Sequence, residues 1–282
     1  MRGRVTAPRK DGLPQMRIIV FAKQVMDPET PQASFKIDPA TNKVSPVQGI
    51  APVVNGFDEQ AVEAALRLKS AHTGTVVTVI SLGKGLVMDV IKKPLSMGAD
   101  ELILLQDDAF EDGDAYSTGQ ALALAVKKIG QFDLIICGRQ ASDTDRSQVG
   151  LAVAEALGIP SITIGKSVEI KDGKVLVERV RTDGSELVEA PLPALVTVSN
   201  ELGEARYPTL RGIMQAGRKQ PTIWTAKDIG ADPNTVGAKG RRVTMTKLFQ
   251  PKVEKTCDFI EGENGADKGR KLALKLREAK IL

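Results

Sequence analysis

The chain has 282 residues, of which 42% are hydrophobic and 26% are charged, a composition typical of a folded globular protein. Its net charge of +4 is spread along the chain, and aromatic residues make up only 4%. The sequence therefore lacks the basic block and the stacking aromatics of a nucleic-acid-binding protein. No apolar run approaches the roughly 18–20 residues that span a bilayer, so no transmembrane helix is expected.

The chemically reactive residues are few. Cys137 and Cys257 lie far apart and form no C-x-x-C pair, so neither a metal site nor a disulfide framework is predicted. The chain has one histidine, and no Ser/His/Asp set can be assembled around it. Residues 1–15 are basic and lack the apolar stretch of a secretory signal, so we expect a disordered extension. Together these features predict a cytoplasmic protein without catalytic residues of its own.

Strand and helix patterns alternate from residue 16 to residue 164. The predicted strands are 17–23, 75–82, 101–106, 133–137 and 161–164, and the predicted helices are 59–70, 85–98 with a break at Pro94, 115–129 and 147–157. A proline-rich segment, 24–54, is predicted to be an irregular excursion. This alternation predicts an α/β fold, a parallel sheet with helices on both faces. Ligands of such sheets bind at the carboxyl ends of the strands.

The alternation stops after residue 164. A small β-hairpin region follows, with a turn at Asp172-Gly173 and further strands at 186–189 and 194–198. We predict a nucleotide-binding domain over 16–199, a partner-recognition loop over 200–221, and a C-terminal arm over 222–282 that ends in a helix at 266–280.

A polar loop between a buried strand and a helix is the strongest candidate for a nucleotide site. The strand ends at Gly138, where the backbone can approach a ligand closely, and the next helix begins near Ser147. Free N–H groups at a helix start favour phosphate, and Arg146 can pair with phosphate directly. Hydroxyl groups that can add hydrogen bonds lie on Ser142, Thr144 and Ser147. These residues alone also fit a solvated turn whose polar side chains only cap the helix.

Apolar and basic residues alternate irregularly between residues 198 and 219. The apolar ones are Tyr207, Leu210, Ile213 and Met214, and the basic ones are Arg206, Arg211, Arg218 and Lys219. Such a mixture is typical of a docking surface with apolar anchors and a charged rim. A loop that covers the protein's own core has the same composition, and both interpretations remain open.

Several short motifs resemble those of the electron transfer flavoprotein β subunit, the family that includes FixA. The most specific are Glu201-Leu, Arg206-Tyr, Leu210, Gly212-Ile-Met, Ala216 and Arg218-Lys219. Others are Met16-Arg-Ile-Ile-Val-Phe-Ala-Lys23, Asn55-Gly-Phe-Asp58, Met97-Gly-Ala-Asp100 and Gly138-Arg-Gln-Ala-Ser-Asp143. The chain has Ala205 where the signature usually has proline. The resemblance covers essentially residues 16–282, and it implies a fold similar to that of adenine nucleotide alpha hydrolases.

This resemblance implies a heterodimer with an α subunit, which would hold most of a redox FAD, and an adenine nucleotide inside the β subunit. In many members that nucleotide is AMP, and in electron-bifurcating members it is a second FAD. The bifurcating loop typically reads Asp-Gly-Asp-Thr-Ala-Gln-Val-Gly, whereas this chain has Asp143-Thr-Asp-Arg-Ser-Gln-Val-Gly150. The resemblance thus leaves AMP and FAD as alternatives. The implied electron partners are flavin dehydrogenases, such as the acyl-CoA dehydrogenases of fatty acid β-oxidation, and a quinone oxidoreductase or another acceptor.

The resemblance also assigns residues to roles. Those implied to bind the nucleotide are Phe21, Ala22, Asn55, Gly56, Phe57, Asp58, Ser81, Leu82, Gly83, Gly138, Arg139, Gln140, Ser142, Asp143, Thr144, Asp145, Arg146, Ser147, Gln148 and Val149. Those implied to dock a partner are Arg206, Tyr207, Leu210, Ile213, Met214 and Lys219, and the C-terminal helix would grip the α subunit. A stand-alone adenine-nucleotide-binding signalling module would explain the Gly138 loop but not residues 200–219. A nicotinamide dehydrogenase is disfavoured because G-x-G-x-x-G is missing.

Overall fold

The computed structural model describes residues 16–45, 47–251 and 256–282, and the predicted extension at 1–15 lies outside these ranges. The strands of the described chain are β1 (Arg17–Phe21), β2 (Gln24–Val25), β3 (Ile37–Asp38), β4 (Lys43–Val44), β5 (Val53–Val54), β6 (Val76–Leu82), β7 (Glu101–Leu105), β8 (Leu134–Gly138), β9 (Ser161–Lys171), β10 (Lys174–Arg181), β11 (Gly184–Pro191), β12 (Ala194–Val198) and β13 (Thr222–Trp224). The α-helices are α1 (Gly56–Ala71), α2 (Met88–Ile91), α3 (Lys93–Met97), α4 (Ala115–Ile129), α5 (Val149–Leu157), α6 (Leu210–Arg218), α7 (Gly237–Gly240) and α8 (Gly265–Glu278).

Nine of the described strands form one sheet in the order β11-β10-β9-β12-β8-β1-β6-β7-β13. All neighbouring strands from β9 to β13 in that order are parallel, whereas β10 is antiparallel to both of its neighbours, β9 and β11. The central strands are almost wholly apolar because both of their faces are buried. The predicted α/β class is confirmed.

Helices cover both faces of this sheet. One core layer packs α1, α2, α3 and α6 against it, and the other packs α4 and α5. Helix boundaries follow local signals: α4 begins with a capping box between Asp114 and Ser117, and α5 ends at Gly158 in the left-handed conformation. The predicted break near Pro94 separates α2 from α3. None of the described helices is long and apolar enough to cross a membrane.

The order of the strands creates a crevice beside β1. The chain runs from β1 to β6 and β7 on one side, and then returns to β8 on the other side of β1. At such a switch point the connections leave in opposite directions, so the carboxyl ends of the strands border an open space. The fold therefore provides a ligand-binding position between β1 and β8.

The region after residue 200 differs from its prediction. The segment 200–221, predicted to be a loop, contains the helix α6, whose start is capped by the Thr209 hydroxyl accepting a hydrogen bond from the Gly212 N–H at 3.0 Å. The arm was predicted to begin at residue 222, yet β13 pairs with β7 in the central sheet. The chain divides instead between Thr246 and Lys247 into two compact units. The second unit contains α8, which agrees with the predicted helix to within two residues.

Candidate functional site

A cavity of about 610 Å³ lies at the carboxyl ends of β1, β6 and β8. Its volume falls within the roughly 300–1,000 Å³ of typical small-molecule sites. The predicted nucleotide-site residues that line it are Phe21, Ala22, Asp58, Leu82, Gly138, Arg139, Gln140, Thr144, Arg146, Ser147, Gln148 and Val149. The structure thus brings together residues from four separate parts of the sequence.

The remaining predicted residues do not line the cavity, and they lie in or next to the same elements. They are Asn55, Gly56, Phe57, Ser81, Gly83, Ser142, Asp143 and Asp145. Asn55 supports the loop from behind, because its Nδ2 donates to the Gln140 carbonyl at 2.8 Å and its Oδ1 accepts from the Ser142 N–H at 3.1 Å. The Arg139 guanidinium lies over the Phe57 ring, 5.1 Å from the ring centroid. These residues shape the site without lining it.

The loop between β8 and α5 holds two residues in the left-handed region, Asp145 with φ 48° and Ser147 with φ 53°. The side chain of Gln140 links them: its Nε2 donates to Asp145 Oδ1 at 2.6 Å, and the Ser147 hydroxyl donates to its Oε1 at 3.0 Å. Such conformations cost energy and persist where surrounding contacts enforce them. The Ser147 hydroxyl proton, predicted to serve a phosphate, is therefore engaged within the loop.

Two helices begin at the cavity, and their N-termini differ. At α4 the Asp114 carboxylate accepts a hydrogen bond from the Ser117 N–H at 2.9 Å, so this end is capped. At α5 the N-cap residue Gln148 makes no side-chain cap bond. Its first-turn N–H groups border the cavity together with Arg146, which forms no ion pair within the described ranges. An uncapped helix start beside a free guanidinium favours an anion.

Gly138 and Asp58 join the two strands at the switch point. Asp58 is buried, and its carboxylate accepts hydrogen bonds from the Lys23 N–H at 2.8 Å and the Gly138 N–H at 3.2 Å. Burial raises the pKa of Asp58 to about 7, although these hydrogen bonds oppose the shift. A Cβ on residue 138 would stand 2.5 Å from Asp58 Oδ1 and 2.7 Å from the Phe57 carbonyl carbon. Glycine is therefore required at position 138 because β8 packs closely against α1 at this point.

Much of the cavity wall comes from residues outside the set assigned to the nucleotide, although Lys23, Ala141 and Gly150 lie in the motifs quoted for the resemblance. These wall residues are Lys23, Thr41, Asn42, Lys43, Ile80, Phe110, Glu111, Asp112, Gly113, Asp114, Ala115, Thr118, Leu122, Cys137, Ala141, Gly150, Arg241, Val243 and Met245. The segment near Arg241 is held by Asp114, whose second carboxylate oxygen accepts from the Arg242 and Val243 N–H groups at 2.8 and 2.9 Å. The capping signal at Asp114 is visible in the sequence, but its hydrogen bonds to residues 128 and 129 positions away are not.

The segment from Tyr207 to Met214 places its apolar side chains outward. The exposed fractions are 88% for Tyr207, 83% for Leu210, 52% for Ile213 and 63% for Met214. The opposite side of α6 packs on α3, where Gly212 lies so close to the Ser96 carbonyl that a Cβ would stand 2.2 Å from it. This geometry disfavours the interpretation of the segment as a cover for the protein's own core.

The two basic residues predicted to dock a partner are bound to the protein itself. The Arg206 guanidinium pairs with Glu63, and Lys219 Nζ donates to the Asp100 carbonyl at 2.6 Å. Across the described parts of the chain, no group of three or more His, Cys, Asp or Glu side chains could hold a metal ion. Burial raises the pKa of the Cys137 thiol at the cavity wall, which keeps it protonated.

Comparison with known proteins identifies the family. An electron transfer flavoprotein domain matches residues 48–229. The "Caffeyl-CoA reductase-Etf complex subunit CarD" of Acetobacterium woodii is 37% identical over 95% of this chain and 100% of its own length. The "Electron transfer flavoprotein subunit beta" of Thermoanaerobacterium thermosaccharolyticum is 40% identical over 88% of this chain and 93% of its own, and "Protein FixA" of Azorhizobium caulinodans is 34% identical over 87% and 90%. The chain therefore belongs to the electron transfer flavoprotein family, in the group of the β subunits and FixA.

Proposed function

We propose that this chain is the β subunit of an electron-transferring heterodimer, that it holds an adenine nucleotide in the cavity, and that it presents α6 to an electron-exchange partner. The observation that carries the proposal is the cavity at the switch point of a family member, with an uncapped helix N-terminus and Arg146 on its wall. No residue of the chain is assigned a catalytic role.

The residues of the cavity fit an adenine nucleotide. Apolar side chains suited to a planar ring are Phe21, Ile80, Phe110 and Leu122. Arg146 and the first-turn N–H groups of α5 offer positive charge and donors to phosphate oxygens. In a bound FAD the isoalloxazine ring supplies the redox chemistry, whereas AMP would be structural. The protein's part is to bind the phosphate, orient the ring and exclude water.

The loop sequence favours FAD over AMP in this cavity. Gln148-Val149-Gly150 follows the pattern typical of bifurcating members, although Thr144, Arg146 and Ser147 depart from it. Partners fitting the family are an α subunit, a flavin dehydrogenase or reductase acting on CoA thioesters, and a quinone oxidoreductase or another acceptor. One relative's name places it in a caffeyl-CoA reductase complex, which supports a CoA-thioester enzyme as one partner.

Co-expression with the α subunit encoded by the same genome tests this function. We expect a yellow heterodimer whose flavin is reduced by a CoA-thioester dehydrogenase when that enzyme is supplied with its substrate. Absorbance of the purified complex and the rate of flavin bleaching are the measurements. A colourless homodimer with bound ATP would instead favour the stand-alone signalling module.

A further inference from the structure

Helix α1 contains a buried charge that the function described above does not use. Glu63 is only 5% exposed, and both of its carboxylate oxygens accept hydrogen bonds. Arg67, one turn along the helix, donates from Nε at 2.8 Å. Arg206 donates from Nε at 2.7 Å, from Nη2 at 3.3 Å and from its backbone N–H at 3.2 Å. Although burial opposes ionisation, these donors lower the pKa of Glu63, which therefore carries its negative charge.

Arg206 lies directly before the exposed apolar residues. Residues 203–209 form neither helix nor strand, so no regular hydrogen-bond ladder fixes this stretch. Side chains of α1 hold the beginning of this stretch: Glu63 binds Arg206, and Arg67 donates to the Leu202 carbonyl at 3.1 Å and the Glu204 carbonyl at 3.5 Å. The residues that lead into the docking segment, defined here as Tyr207–Met214, are thus attached to α1 by side chains.

The same helix supports the cavity at its first turn. Asp58 binds the ends of β1 and β8, and Asn55 binds the loop after β8. Glu63 follows Asp58 by five residues, somewhat more than one helical turn. Because α1 is one continuous helix, it links the nucleotide cavity to the start of the docking segment.

We propose that Glu63 is a positioning residue for the electron-transfer partner: through Arg206 it holds the docking segment at a fixed place relative to the cavity. This inference rests on the proposed function, in which α6 contacts that partner. Without Arg206 the buried Glu63 carboxylate would keep only the Arg67 guanidinium as an ionic partner, so Arg206 does not leave Glu63 readily. The apolar face of α6 is then presented in one arrangement, which lowers the ordering cost of docking.

The test uses the α/β heterodimer carrying Glu63→Gln, with a CoA-thioester dehydrogenase as the reductant of its flavin. We expect KM for the dehydrogenase to rise about ten- to a hundredfold, while kcat and the nucleotide content stay close to those of the wild type. Hydrogen exchange should accelerate at residues 203–210 and remain unchanged in β1 and β8. A substitution that acts only through global stability would accelerate exchange in all of these elements.

Glu59→Gln is the matched control. Glu59 lies one turn earlier on α1 and pairs with Lys93 at 2.5 Å, away from Arg206. This variant should leave KM for the dehydrogenase unchanged. If Glu63→Gln does not assemble, Arg206→Lys keeps a cation opposite Glu63 but loses the forked contact, and it should raise KM in the same direction.

The results separate this inference from the function on which it rests. Failure of the dehydrogenase to reduce the wild-type heterodimer would remove both. Normal reduction of the wild type with the same KM in Glu63→Gln and Arg206→Lys would overturn the positioning role alone. An equal rise of KM in Glu59→Gln would also overturn it.

Discussion

The nucleotide cavity and the apolar face of α6 are built in different ways. The cavity collects residues from segments between Phe21 and Met245, and backbone groups and buried polar side chains hold its walls together. The α6 face is formed by neighbouring residues of one short segment, with side chains that point into solvent. A substitution in the cavity should therefore alter folding stability and subunit assembly, whereas a substitution on the α6 face should alter only the binding of the partner.

Gly138→Ala should give the largest effect, because it disturbs the point where β1, β8 and α1 meet. The added methyl group would collide with the Asp58 carboxylate and the Phe57 backbone. We expect the free energy of unfolding to fall by about 1–3 kcal/mol, together with loss of the bound nucleotide. Urea unfolding and acid extraction of the complex measure both. Gly56→Ala, where a methyl group meets no atom within 4 Å, is the control, and an equal effect there would contradict the packing argument.

Leu210→Ala tests the apolar face of α6. The side chain is 83% exposed, so its removal leaves no cavity in the core and should hardly change the melting temperature. Burial of a leucine in a partner's pocket contributes roughly 1.5–3 kcal/mol, so binding of the dehydrogenase should weaken about ten- to a hundredfold. Electron-transfer kinetics at varied dehydrogenase concentration measure this. A destabilised protein with normal transfer would refute the docking role.

Asp58→Asn tests the buried carboxylate beside the cavity through the pH dependence of stability, and its effect per unit of pH is the smallest of the three. The folded-state pKa of Asp58, about 7, lies above its ordinary value of 3.8. As pH rises between these values, the unfolded chain releases this proton first, so the folded state loses stability by at most about 1.4 kcal/mol per pH unit. Asp58→Asn should lack this loss.

Denaturant unfolding of both proteins across this range gives the difference directly. Titrating groups other than Asp58 are common to the two proteins and cancel in that difference. Parallel stability curves for the wild type and Asp58→Asn would show that Asp58 keeps its charge throughout.

The sheet and the Gly138 loop could be predicted because their signals are local. The apolar runs of β1, β6 and β8, and the Asp114 cap of α4, lie within a few residues of the elements that they specify. The nucleotide-site residues quoted for the family resemblance also lie in short contiguous motifs.

Helix α6 escaped prediction although Leu210, Ile213 and Met214 have helical spacing. These apolar side chains face solvent, and the side that packs on the protein presents only the small residues Gly212 and Ala216. Glu63 likewise gives no signal in the sequence, since its partner Arg206 is 143 residues away. The far wall of the cavity depends on the hydrogen bonds from Arg242 and Val243 to Asp114, which is 128 and 129 residues away from them. Long-range polar contacts of this kind hold the cavity wall and the start of the docking segment, and they can be seen only in the folded structure.

Counting the adenine nucleotides in the purified heterodimer, with and without Arg146, tests whether this chain holds a nucleotide in its cavity. Acid extraction and chromatography should give two adenine nucleotides for each wild-type heterodimer, one of them held by this chain. Arg146→Gln should lose most of that one and keep the other, because Arg146 lines the cavity beside the uncapped start of α5. Arg181→Gln, at the end of β10 and outside the cavity wall, should keep both. A single nucleotide in the wild type, or two in Arg146→Gln as in the control, would contradict the assignment of this cavity.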